Sequence, residues 1–73
     1  MNELDKIKAF VKVEPELSQD EYEIQVKRLA AELNIRKGDV ERLMSEVEIS
    51  DEYALKGLKS YQEQQALAKS RAQ

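Results

Sequence analysis

The chain has 73 residues, a formal net charge of −3, and neither cysteine nor histidine. A chain this short buries only about 60% of its unfolded surface and can build one core. Without thiols and imidazoles it has no disulfides, cysteine nucleophiles, histidine bases or common zinc sites, so enzymatic chemistry, a metal centre and a cofactor are not expected. No apolar run approaches bilayer-spanning length or forms the core of a signal peptide, so no membrane partner and a cytoplasmic location are expected. The missing cysteines agree with a reducing compartment.

Residues 2–12 read as a first helix. Leu4, Ile7, Phe10 and Val11 recur at spacings of three and four, with Lys6, Lys8 and Lys12 elsewhere. Asn2 stands where a cap belongs, Asp5 lies in the first turn, and Phe10, the one phenylalanine, is the expected anchor of the core. Pro15 closes the helix, because the residue before a proline avoids helical angles. The acidic group Glu14, Glu16, Asp20, Glu21 and Glu23 lacks the spacing of a calcium loop and reads as a solvated helix start.

Ser18 followed three residues later by Glu21 is a capping box, and Leu17 can staple onto Tyr22. The stripe Tyr22, Val26, Leu29 and Leu33 then predicts a helix over 19–33. Beyond Leu29 the apolar residues Leu33, Ile35, Val40 and Leu43 fall at spacings of four, two, five and three, which no single helix accommodates. Two helices joined by a tight turn do. Ala30 is the small residue at their crossing, and Asn34 sits at the bend, where a left-handed conformation is needed and asparagine tolerates it.

The second arm spans 37–47, with Val40, Leu43, Met44 and Val47 inward and Lys37, Glu41 and Arg42 outward. Gly38 within it costs about 1 kcal/mol relative to alanine. Asp39 is a better N-cap than Arg36, and a start two residues later is the alternative. Ile49 closes the segment, and Ser50 with Asp51 and Glu52 caps a last helix over 51–70. Its stripe, Ala54, Leu58, Tyr61, Gln65, Ala68 and Ala72, weakens steadily, so residues 62–73 are expected either to fray or to pair with a partner. Gly57 reads either as tolerated or as the mark of a close helix approach. Tyr22, Tyr53 and Tyr61 read as half-buried helix residues with their hydroxyls at the surface. The expected fold is all-α: one compact domain of three to four helices over 1–73, with a central helical hairpin and a longer C-terminal helix.

Residues 26–46 resemble the helix-turn-helix DNA-binding motif. Ala30 takes its small position, Asn34 its usual glycine, and Leu29, Leu33, Ile35, Val40 and Leu43 its five buried positions. The resemblance implies a small transcription regulator of bacterial or phage-like size, whose helix from Lys37 enters the major groove. Arg36, Lys37, Arg42 and Glu41 would face bases, since arginine can pair twice with guanine and glutamate can accept from cytosine; Lys27 and Arg28 would meet phosphates.

Residues 1–35 carry five basic and eight acidic side chains, and residues 36–73 carry seven of each. Phosphate attraction grows with the number of aligned cations, so a single acidic unit would bind weakly and a homodimer on paired half-sites is expected, with the C-terminal helix as its contact. Residues 17–35 are also similar to helical modules of the tellurite-resistance type, in which a leucine-serine start and a two-helix hairpin read no groove. That similarity implies the alternative: a non-enzymatic protein-interaction module, adaptor or inhibitor, with a protein partner and no DNA.

Overall fold

A computed structural model describes residues 3–71 of the chain and gives four helices and, among those residues, no strand. They are α1 (Glu3–Val13), α2 (Gln19–Leu33), α3 (Lys37–Ile49) and α4 (Asp51–Arg71), with one turn of 3-10 helix at Glu14–Glu16 between the first two. The all-α fold is as expected.

Each helix boundary has a local cause. Pro15 lacks an N–H and ends α1, but instead of a break it begins a tight turn in which the Leu17 N–H donates to the Glu14 carbonyl at 3.1 Å. The Ser18 hydroxyl accepts from the Glu21 N–H at 3.2 Å while the Glu21 carboxylate accepts from the Ser18 N–H, so α2 begins with a complete capping box. At its other end Asn34 adopts φ 60° and ψ 47°, among the described residues the one non-glycine with positive φ. That conformation lets the Ile35 N–H reach back to the Ala30 carbonyl at 3.0 Å and turns the chain sharply. Asn2, the expected cap of α1, lies outside the described residues.

The start of α3 keeps the expected span and not the later alternative. The helix begins at Lys37, so Asp39 lies in its first turn and is not the N-cap. Its carboxylate reaches back to accept from the Arg36 N–H at 3.1 Å. This is the acidic half of a capping box, which satisfies a donor the helix start leaves open; arginine has no side-chain acceptor to return the bond. α3 also runs through Ile49, two residues past the expected end, because the single linking residue Ser50 is extended and its own N–H closes on the Glu46 carbonyl.

The core gathers Leu4, Ile7 and Phe10 from α1, Val26, Leu29, Ala30 and Leu33 from α2, Ile35 from the corner, Val40 and Leu43 from α3, and Ala54 and Leu58 from α4. α3 is its axis and packs against the other three helices. Phe10 and Tyr22 lie 5.7 Å apart between ring centres, tilted at 37°, tying α1 to α2. α4 runs back along α3 in the opposite direction, since Tyr61 meets Glu46, Gln64 meets Arg36 and Lys69 meets Asn34. Being 21 residues long against 13, it passes the α2–α3 corner.

Its far half is held by polar contacts and not by burial. Gln62 donates both to the Leu33 carbonyl, one of the acceptors left unpaired at the end of α2, and to the Glu3 carboxylate, each at 2.9 Å. Lys69 Nζ donates to Asn34 Oδ1 at 2.6 Å. Residues 62–71 are therefore helical and anchored to the corner; residues 72 and 73 lie outside the described residues.

Candidate functional site

The residues expected to carry function surround the corner. α3 turns its inner side to the core with Asp39, Val40, Leu43 and Glu46 and presents Gly38, Glu41, Arg42, Ser45, Glu48 and Ile49 to solvent. At 3.6 residues per turn these six lie within an arc of about 120°. Two carboxylates and one guanidinium make that arc slightly acidic.

Most of the six candidate side chains are occupied by other groups of the same fold. Lys37 is hydrogen-bonded to the Glu23 carboxylate on α2, and this bond is the main reason that the Glu23 carboxyl is held below its ordinary range. Arg36 Nε stands 3.5 Å and Arg42 Nη1 3.9 Å from the Asp39 carboxylate, whose residue is only 3% exposed. The rest of the Arg36 guanidinium donates to Gln64 Oε1 at 3.2 Å. Glu41 accepts from the Tyr22 hydroxyl at 3.0 Å; burial, with that bond next, pushes the phenol up to about 12. Lys27 is exposed on α2 and contributes to the field on Glu23. Arg28 is exposed on a different side of α2 and makes no ion pair with any described residue.

The structure thus brings Arg36, Lys37, Glu41 and Arg42 to one end of α3 but interleaves them with acids. The sequence alone does not reveal Tyr22 and Glu23 as partners, because they stand nineteen and fourteen residues from Glu41 and Lys37 and follow no local spacing; only the Asp39–Arg36 and Asp39–Arg42 pairs lie at a helical distance of three. The start of α2, where a bracing helix would meet phosphates, carries Asp20 and Glu21, and the 3-10 turn before it carries Glu14 and Glu16.

Two further features lie outside the expected set. Glu46 is 8% exposed on the inner side of α3: one carboxylate oxygen accepts from the Tyr61 hydroxyl, and the other has no hydrogen-bond partner. Burial, with the Glu46 bond next, raises the Tyr61 phenol to about 12. Glutamate in the register of Val40, Leu43 and Val47 was the sequence signal that could have exposed this site. The second feature is a groove of about 380 Å³ between α1 and α2, floored by Ala9, Phe10, Val13 and Leu29 and rimmed by Lys6, Gln25, Arg28 and Glu32.

Among the described residues no three carboxylates converge as metal ligands, and no helix is long and apolar enough to cross a membrane. Comparison with protein families, with curated proteins and with solved structures finds no match to the chain.

Proposed function

We propose that the chain is a non-enzymatic protein-interaction module, an adaptor or inhibitor that presents a rigid helical surface. What supports this most is the internal cancellation of charge around α3: Glu23 holds Lys37, Asp39 faces both Arg36 and Arg42, and Tyr22 holds Glu41. Phosphate binding rests on cations free to replace counterions, whereas a protein interface tolerates a neutral surface of mixed sign around apolar contacts. Exposed Val13, Ile24, Ile49 and Tyr53 supply such apolar contacts.

The test is affinity capture from nuclease-treated extract of the source cells beside salt-titrated binding to duplex DNA. The expected result is a stoichiometric protein partner that survives nuclease, and no duplex binding at low salt. Duplex binding that weakens steeply with salt and disappears in an Arg36→Ala, Lys37→Ala, Arg42→Ala triple variant would overturn the proposal.

The second reading is the dimeric DNA-binding regulator. It draws support from the corner itself, where Asn34 is left-handed, Ala30 is buried in the crossing and Leu29, Leu33, Ile35, Val40 and Leu43 are all buried. On that reading Gln64 and Lys69 of α4 would have to yield the corner before the face from Arg36 could approach a duplex.

A further inference from the structure

The groove between α1 and α2 has a shape and a charge that specify an occupant. Lys6 Nζ pairs with Glu32 at 2.9 Å and closes one end, while Val13 and Gln25 stand at the other. From Lys6 to Val13 α1 advances about 10 Å at 1.5 Å per residue, enough for two large side chains set one helical turn apart, which lie about 5–6 Å from one another. The floor is apolar: Phe10 and Leu29 are buried at its base, and Val13 is left 47% exposed although it is aliphatic and sits in a helix. A volume of about 380 Å³ falls at the small end of the range of about 300–1,000 Å³ typical of ligand sites.

The rim is where the charge is unbalanced. Lys6 is spent on Glu32, but Arg28 projects beside the same floor with no carboxylate of the described residues within ion-pair distance. On the α2–α3 side of the molecule Lys37, Arg36 and Arg42 face acids; Lys27 is in no ion pair either, but of the two only Arg28 lines the groove. An arginine left unpaired above an apolar trough matches a partner with a carboxylate next to its apolar side chains, because guanidinium and carboxylate meet in a planar, two-bond geometry.

We infer that this groove docks an amphipathic helix of a partner protein, with two large apolar side chains at i and i+3 or i+4 lying over Phe10, Val13 and Leu29, and an acidic residue of that helix pairing with Arg28. This inference rests on the protein-interaction reading and gives it a surface and a partner chemistry. The packing is the helix-in-groove mode, in which apolar anchors give affinity and a rim charge fixes the direction in which the helix lies.

The test is a selection from a displayed library of helical peptides against the full chain, followed by fluorescence anisotropy with the enriched peptides. The expected peptides carry two large apolar residues three or four apart and an aspartate or glutamate at a fixed offset. Val13→Glu should weaken their binding by about tenfold or more, as loss of an interface anchor does. Selection against Arg28→Glu should replace the acidic position by lysine or arginine. Leu67→Glu, at an exposed position of α4 that does not line the groove, should change nothing. All three sites are solvent-exposed to an extent that leaves melting temperatures near that of the parent chain, which circular dichroism checks.

Enrichment of no peptide above background would overturn the inference. So would peptides indifferent to Val13→Glu and Arg28→Glu, or saturable binding of dodecanoate that excludes every peptide, which would make the occupant a fatty acid. A partner captured from extract by the parent chain and equally by the Val13→Glu and Arg28→Glu variants would leave the interaction module standing while removing this groove from it.

Discussion

The two glycines of the chain should respond to the same substitution with opposite signs. Both lie within helices, where alanine in place of glycine stabilises by about 1 kcal/mol through backbone entropy and helix propensity. At Gly38 a Cβ would meet nothing within 4 Å, so Gly38→Ala should stabilise by about 0.5–1 kcal/mol. At Gly57 the same atom would collide with one carboxylate oxygen of Glu46 and stand 3.1 Å from its Cδ and 3.2 Å from its other oxygen. That carboxylate is buried and tied to the Tyr61 hydroxyl, so moving it aside loses a hydrogen bond to a charged group, worth about 1.5–3 kcal/mol. Set against the propensity gain of about 1 kcal/mol, Gly57→Ala should destabilise by about 0.5–2 kcal/mol.

The assay is urea unfolding followed by circular dichroism, with a thermal melt beside it; for a domain of this size 1 kcal/mol moves the midpoint by about 4–8 °C. The decisive arm is the Glu46→Ala background. There the obstruction is gone and Gly57→Ala should become stabilising by about 1 kcal/mol, giving a coupling between the two sites of about 2 kcal/mol in the double-mutant cycle. A Gly57→Ala variant that melts above the parent, or one whose effect is the same with and without Glu46, would refute the close packing of α3 on α4 at this point.

Asn34→Gly should be neutral or slightly stabilising, whereas Asn34→Ala should cost about 1–2 kcal/mol in urea unfolding, because the corner holds a left-handed conformation that alanine resists. Asp39→Ala should cost about 1–2 kcal/mol by leaving the Arg36 N–H and the first turn of α3 without their acceptor, and Asp39→Asn should cost less than half of that in the same measurement. The Tyr22 and Tyr61 phenols, ordinarily near 10.0 and raised here to about 12, bind their protons more tightly in the folded chain than in the unfolded one. Their contribution to stability is therefore complete below pH 10 and falls as the pH rises from about 10 to 12; phenolate absorbance and helical ellipticity followed together should show alkaline unfolding in that window. Lys6→Ala, which breaks an ion pair whose two side chains are about 40% exposed, should change stability by less than about 1 kcal/mol.

What the sequence made legible was local. Ser18 with Glu21, Pro15, and the uneven apolar spacing through Asn34 each act within a few residues, and they delimit α1, α2 and the corner. The weakening stripe of α4 likewise anticipates buried Ala54 and Leu58 followed by part-buried Tyr61 and exposed Ala68. What stayed hidden joins residues far apart in the chain. Nothing in the period of α3 says that Lys37 meets Glu23 or that Glu41 meets Tyr22, and so the sequence presents as a cationic cluster what the fold presents as a set of pairs. The contacts of the tail were hidden for a related reason: the apolar count of residues 62–71 is low, but Gln62, Gln64 and Lys69 tie that half to the corner through polar contacts that hydrophobic periodicity does not register. Gly57 was ambiguous until Glu46 appeared opposite it.

The joints between helices differ in how much slack they contain, and this shapes how relatives of the fold could diverge. Ser50 alone separates α3 from α4, and an extra residue inside either helix would turn everything beyond it by about 100°, pulling Leu58 off the centre of the protein. The joint between α1 and α2 is solvent-facing from Pro15 to Ser18 apart from Leu17 and sits at the Val13 end of the groove. Length variation accepted there would leave the rest of the scaffold in register while remodelling the mouth of the trough, so a single short bend can be edited without disturbing the helices around it.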